Sequence, residues 1–132
     1  MFYTINELVT QSHQYPSVAE LMIATELENT TRTRAQVRGL MARNLEVMEQ
    51  SVAEGVAGVE SRTGLTGGEA KKMDDYIAAD DYLSGQPILE AVRNAVAVNE
   101  VNAKMGLICA TPTAGSAGVL AGVLTATRER LH

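Results

Sequence analysis

The chain has 132 residues, enough for a single helical domain over 1–132 with a modest core. Its residues are 45% hydrophobic and only 4% aromatic, with no Trp, so the core is built from Ala, Val, Leu, Ile and Met, which favours closely packed helices over sheets. A net charge of −5 argues against a nucleic-acid binder, one cysteine excludes an internal disulfide, and two histidines beside it argue against a zinc site.

Thr4 is placed to cap a helix over 5–14, with Ile5, Leu8 and Val9 on one face. Pro16 ends it. Ser17, with Glu20 at the capping-box position, starts a second helix that carries Val18, Leu21, Met22 and Thr25 on one face and ends near Asn29. The spacing of Val37, Leu40, Met41, Leu45, Met48, Val52 and Val56 predicts a long third helix over 33–57, with its methionines as core filler.

Gly58 to Gly68 is a loop. Its segment Ser61-Arg62-Thr63-Gly64-Leu65-Thr66-Gly67-Gly68 holds three glycines and three hydroxyls, which suits a turn that exposes backbone N–H groups. Thr66 is placed to cap a fourth helix over 68–79, with Glu69 three residues on. The run Asp74, Asp75, Asp80, Asp81 lacks the spacing and central glycine of a calcium loop and reads as solvated acidic surface.

Ser84-Gly85-Gln86-Pro87 breaks the chain again, and Pro87 suits the first turn of a fifth helix to about Lys104. Ile88, Val92 and Ala95 form its expected inward stripe, which continues to Asn99 and Asn102. Unpaired buried amides are costly, so these two either bond neighbouring loop backbone or face a polar pocket, and the pattern leaves both open. Glu100 falls elsewhere on the helix, at the surface or behind a site.

Gly106 to Gly118 is the most informative stretch: a buried apolar segment, a turn rich in hydroxyls and glycine, then an apolar helix over 116–130 with Val119, Leu120, Val123 and Leu124 on one side. Pro112 breaks the chain, and the small residues after it let a ligand approach the backbone. The N–H groups near Gly115 and Ser116 suit a carboxylate. From spacing alone, an anion-binding turn and a tight loop between packed helices stand level. Cys109, between apolar residues, reads as a buried small hydrophobe rather than an activated thiolate. His13 and His132 read as lone surface histidines. The sequence contains no nucleophilic triad, dinucleotide fingerprint or P-loop. It has no basic-then-apolar leader and no apolar run near the roughly 18 residues of a membrane span, so a cytoplasmic location is expected. The apolar last helix points to self-association and to burial in a larger structure.

Three segments, taken together, resemble the alpha chain of bacterial iron–sulfur-dependent L-serine dehydratase. They are Ser61 to Gly68, then Asn99-Glu100-Val101-Asn102-Ala103, then Cys109-Ala110-Thr111-Pro112-Thr113-Ala114-Gly115-Ser116-Ala117-Gly118. The likeness covers nearly the whole chain and implies an all-α fold of about six helices. It implies elimination of water from L-serine to pyruvate and ammonia with a [4Fe–4S] cluster, and a beta chain as partner. The family's cluster cysteines lie further on, in a Gly-Cys-Gln motif and a Cys-Asp-Pro … Pro-Cys segment. This chain therefore resembles the N-terminal half of that subunit, expected to hold no cluster and to be inactive alone.

By the same resemblance, Thr111, Thr113, Gly115 and Ser116 would bind the substrate carboxylate. Asn99 and Asn102 would hold the ammonium or orient the turn, and Ser61, Thr63 and Thr66 would complete the pocket wall. No residue is assigned as the base or as a metal ligand. Two other readings are a related β-elimination such as cysteine desulfidation, and a non-catalytic helical module that binds a beta chain.

Overall fold

The computed structural model describes residues 2–130. Among them there are six α-helices and no strand: α1 Ile5–Ser12, α2 Val18–Asn29, α3 Arg34–Val56, α4 Glu69–Ala78, α5 Gln86–Ala103 and α6 Ala117–Thr127, closed by a 3-10 turn at Arg128–Arg130. The all-α expectation and the six helices hold; His132 lies outside the described residues. The chain divides into two compact units, Met1–Arg43 and Asn44–His132.

The first unit shows how local chemistry sets the helix starts. The Thr4 hydroxyl accepts from Glu7 N–H at 3.2 Å, and the Glu7 carboxylate accepts from Thr4 N–H at 3.3 Å, a reciprocal cap. At α2 only half of the expected pair forms. Ser17 accepts from Glu20 N–H at 3.2 Å, but the Glu20 carboxylate is taken by Arg34 at 2.6 Å and Arg38 at 3.2 Å. The hydrogen-bonded Arg34 guanidinium holds the Glu20 carboxyl below its ordinary range. Of the α2 face only Leu21 is buried; Val18 and Met22 are exposed. Ile5 and Val9 of α1 are exposed as well.

In the second unit, Met48 and Val52 of α3, Val98 of α5, and Ala117 and Ala121 of α6 form the core, with Val56, Ile108 and Cys109 packed against it. The predicted α3 stripe is therefore buried only from Met48 onward; Leu40, Met41 and Leu45 are exposed. Helix α5 is the centre of the unit. Its buried residues are Asn94, Ala97, Val98, Glu100 and Val101. Of the Ile88, Val92, Ala95 stripe expected from spacing, Ile88 is 65% and Val92 45% exposed, and Ala95 alone packs against α6.

The reason lies in how α6 approaches. Gly118 and Gly122 replace side chains along its contact line, and a Cβ on Gly118 would come within 2.5 Å of the Ala95 carbonyl oxygen. One on Gly122 would lie 2.6 Å from the Ala91 carbonyl oxygen. Backbone thus meets backbone over Ala91 and Ala95, and the bulkier apolar positions at the start of α5 stay outside. No helix among the described residues is long and apolar enough to cross a membrane.

Candidate functional site

The residues singled out in the sequence fall at two turns, and α5 holds both. The first is the Thr111–Ser116 turn before α6, which contains a cis Thr111–Pro112 bond. Its hydroxyls bond one another. Ser116 Oγ donates to the Thr111 carbonyl at 2.9 Å, and Thr113 N–H donates to Ser116 Oγ at 3.3 Å. Thr113 Oγ1 accepts from Ser116 N–H at 3.2 Å and lies 2.9 Å from Ser116 Oγ. Thr111 Oγ1 donates to the Ser116 carbonyl at 3.3 Å.

A hydroxyl has one proton to give. With the Ser116 proton on the Thr111 carbonyl and the Thr111 proton on the Ser116 carbonyl, the proton of Thr113 can point to Ser116 Oγ or outward. Thr113 and Gly115 are exposed, whereas Thr111 and Ser116 are half-buried. The turn accordingly offers an outward hydroxyl at Thr113 beside exposed backbone at Gly115. It is also the tight interhelical loop that spacing alone allowed, so the two readings are compatible.

Asn99 of α5 lies against the first turn of α6, just after this loop: its Oδ1 is 3.2 Å from the position a Cβ would take on Gly118. Asn99 is exposed and Asn102 half-buried, so neither is the fully buried amide expected of an inward stripe. The Asn102 carbonyl accepts from Met105 N–H at 2.9 Å, which closes the end of α5.

The second turn is the Ser61–Gly68 loop. Ser61 is buried and holds it together: its N–H donates to the Thr66 carbonyl at 2.9 Å, and its Oγ accepts from Thr66 N–H at 3.2 Å. Thr63 and Thr66 are exposed. The expected Thr66 cap on α4 does not form. Gly68, at a left-handed φ of 84°, occupies the cap position and has no side chain to offer. Thr66 Oγ1 instead donates to the Glu69 carboxylate at 3.4 Å, which also accepts from Gly67 N–H at 2.7 Å.

The N–H groups at the start of α4 are taken from another helix. Glu100 Oε1 accepts from Glu69 N–H at 2.6 Å and from Ala70 N–H at 3.4 Å. Glu100 is only 3% exposed, and its second oxygen, Oε2, is buried without a hydrogen-bond partner. Burial pushes the Glu100 carboxyl up, and the Glu69 carboxylate beside it pushes the same way. Glu69 moves oppositely, held down at about 2 by the Glu100 carboxyl and then by the Gly67 N–H. Of the two places the sequence left open for Glu100, the surface is excluded: the residue is buried. Counting i, i+3, i+4, i+7 from Asn94 gives 94, 97, 98 and 101, a stripe that Glu100 flanks three residues after Ala97.

The acidic run behaves as surface charge: Asp74 pairs with Arg93 at 2.6 Å and Asp75 with Lys71. A polar concavity of about 490 Å³ lies along the first half of α5 and the end of α6, lined by Gln86, Glu90, Arg93, Asn94, Thr125, Ala126 and Arg130. It contains none of the residues marked in the sequence. Its charges are spent internally, Arg93 on Asp74 and Asn94, Arg130 on Glu90. Cys109 packs against the core but is half-buried rather than buried.

A family model described as serine dehydratase alpha chain matches residues 13–132. The chain is 51% identical over 134 residues to the probable L-serine dehydratase, alpha chain, of Bacillus subtilis (strain 168), covering 100% of this chain and 44% of the relative. It is 28% identical over 116 residues to the L-serine dehydratase, alpha chain, of Peptoniphilus asaccharolyticus, covering 87% and 40%. A shorter match to the probable L-serine dehydratase, alpha chain, of Latilactobacillus sakei is 66% identical over 44 residues, 33% of this chain and 21% of the relative. This chain thus spans less than half the length of these relatives, and no solved structure matches it. On the family match over residues 13–132, the chain belongs to the serine dehydratase alpha chain family.

Proposed function

We propose that this chain supplies substrate-binding turns to an iron–sulfur-dependent L-serine dehydratase that acts with a beta chain. The observation that carries the reading is the Thr113 hydroxyl, exposed beside Gly115 just before α6, with Asn99 against Gly118 in the first turn of that helix. In the proposed reaction L-serine loses its α-proton and its hydroxyl as water to give 2-aminoacrylate. That product tautomerises to the imine and is hydrolysed to pyruvate and ammonia. The task of these residues is to hold the substrate. Thr113 Oγ and the Gly115 N–H donate to the carboxylate, while the Ser116 N–H stays on Thr113 Oγ1, and binding turns the Thr113 proton outward from Ser116 Oγ. The Asn99 and Asn102 amides accept from the ammonium or fix the turn. Thr63 and Thr66 face the pocket from a loop that Ser61 keeps closed.

The donor set here does not fit an iron–sulfur cluster. Cys109 is the sole cysteine of the 132 residues and is packed against the core, whereas clusters are held by several thiolates. Cluster ligands belong, in this reading, to the remainder of the subunit.

The test is Thr113→Ala in the enzyme assembled from complete alpha and beta chains. A hydrogen bond to a charged group contributes about 1.5–3 kcal/mol, so kcat/KM for L-serine should fall roughly ten- to hundredfold. Thr113→Ser, which keeps the hydroxyl, should retain most activity. Unchanged kinetics in the alanine variant would remove the turn from the substrate site. L-cysteine presents the same carboxylate and ammonium, so the ratio of L-serine to L-cysteine turnover separates dehydration from desulfidation. The exposed Val119, Leu120, Val123 and Leu124 give α6 an apolar face that supports the interaction-module reading, with association to a beta chain or a second copy.

A further inference from the structure

We propose that Glu100 is a positioning residue whose buried carboxyl clamps the start of α4, and with it the Ser61–Gly68 loop, to the helix that carries Asn99 and Asn102. Oε1 receives the Glu69 and Ala70 N–H groups from across the gap between helices. The α4 cap residue, Gly68, has no side chain for that task. Consecutive residues on a helix point roughly 100° apart, so Asn99 reaches the first turn of α6 while Glu100 reaches the start of α4. One short stretch of α5 thus sets the position of both.

The clamp works as the neutral acid. The Glu69 and Ala70 N–H groups favour an ionised carboxylate. Burial first, and then the second carboxylate beside it, act against the charge and push the carboxyl up, and Oε2 is buried without a partner. A proton on Oε2 removes that charge and leaves Oε1 free to accept both N–H groups. On α4 Glu69 stands beside it and Lys72 acts on Glu69, while Lys71 pairs with Asp75 and Asp74 with Arg93. On α5 itself Lys104 is spent on Glu54 of α3, and α6 carries no ionisable side chain over Ala117–Thr127. Ionisation of Glu100 at high pH would place two carboxylates together and loosen the loop. That this loop walls a substrate pocket rests on the dehydratase reading; the clamp itself does not.

The test needs no turnover, so its failure is distinguishable from failure of the dehydratase reading. Infrared spectra of the 132-residue chain in D₂O at neutral pD should show the C=O stretch of one protonated carboxyl, absent in Glu100→Gln. In Glu69→Gln the pH at which that band disappears should fall. Amide exchange at Glu69 and Ala70 should be equally slow in the wild type and Glu100→Gln near neutral pH. It should be roughly two- to tenfold faster in Glu100→Ala, the range expected for a lost hydrogen bond. In the wild type alone, exchange at these amides should accelerate beyond base catalysis as the band disappears. If Glu100→Ala does not fold, the infrared comparison of wild type and Glu100→Gln carries the test. A wild-type spectrum with no protonated carboxyl at neutral pD overturns the proposal. So does unchanged exchange in a folded Glu100→Ala variant.

Discussion

Gly118→Ala tests the feature on which the second unit's packing depends. Two effects of opposite sign compete. Replacing glycine by alanine inside a helix is worth about 1 kcal/mol of intrinsic helix stability. Against it stands the 2.5 Å approach of the new Cβ to the Ala95 carbonyl oxygen, with the Ala95 carbonyl carbon and Asn99 Oδ1 both at 3.2 Å. Heavy atoms attract best at about 3.5 Å or beyond, so α6 must move out by about 1 Å. The obstacle is α5 backbone, which cannot rotate aside as a side chain can. Overpacking of this kind typically costs ~1–3 kcal/mol. The net expectation is destabilisation of up to about 2 kcal/mol. Gly122→Ala meets the same helix at the Ala91 carbonyl oxygen (2.6 Å), Ala95 N (2.9 Å) and Ala95 Cβ (3.0 Å). One outward displacement relieves both, so the double variant should lose less than the sum of the singles. Gly39→Ala is the control: it is interior to α3, nothing lies within 4 Å of its Cβ position, and it should stabilise by ~0.5–1 kcal/mol. Urea denaturation followed by helical circular dichroism measures all four. A Gly118→Ala variant as stable as Gly39→Ala would refute the close approach of α6 to α5.

Gly67→Ala should also be damaging: at φ +140° its Cβ would lie 2.7 Å from Glu60 Cα, and a disfavoured backbone of this kind costs ~1–3 kcal/mol, measurable as a lower midpoint in the same denaturation assay. Stability should fall between pH 4.5 and about pH 2. The folded Glu69 carboxyl sits at about 2 against an ordinary 4.5, so its contribution is present above 4.5 and is lost as pH drops through the folded value. Glu69→Gln, which keeps an acceptor for Gly67 N–H but does not titrate, should show a shallower acid limb in thermal melts. Equal limbs would contradict the assignment.

The helices were legible because their starts are local. Thr4, Ser17 and Pro87 act within one turn of chain, and each helix begins within a residue or so of the place its capping chemistry indicates. Burial was less legible, because it depends on partners. Leu40, Met41 and Leu45 follow helical spacing as well as Met48 and Val52 do, yet only the latter two are buried. Spacing marks a face; it does not say whether anything covers it. In α5 the rule failed at its bulkiest positions: Ile88 and Val92 are exposed, while Ala95 of the same stripe, together with Ala91, meets α6. The signal that reverses the choice is in α6, where Gly118 and Gly122 recur four apart and demand small partners.

The same logic explains why the hydroxyl-rich turn was found while the burial of Glu100 was left open. Thr111, Thr113 and Ser116 lie within six residues, and their chemistry is visible as a cluster. Glu100 bonds residues 30 and 31 positions away, and a lone glutamate in a helix is usually solvated. Its burial follows from a deficit elsewhere: α4 opens on Gly67 and Gly68, which cannot cap, and Thr66 is spent on the Glu69 carboxylate. A helix start buried without a local acceptor must take one from a neighbouring element. Where two glycines precede a helix, then, the partner helix is the place to look for a carboxyl. Here that carboxyl stands beside Asn99, so the geometry of the glycine loop and that of the Thr-Pro-Thr turn depend on the same turn of α5.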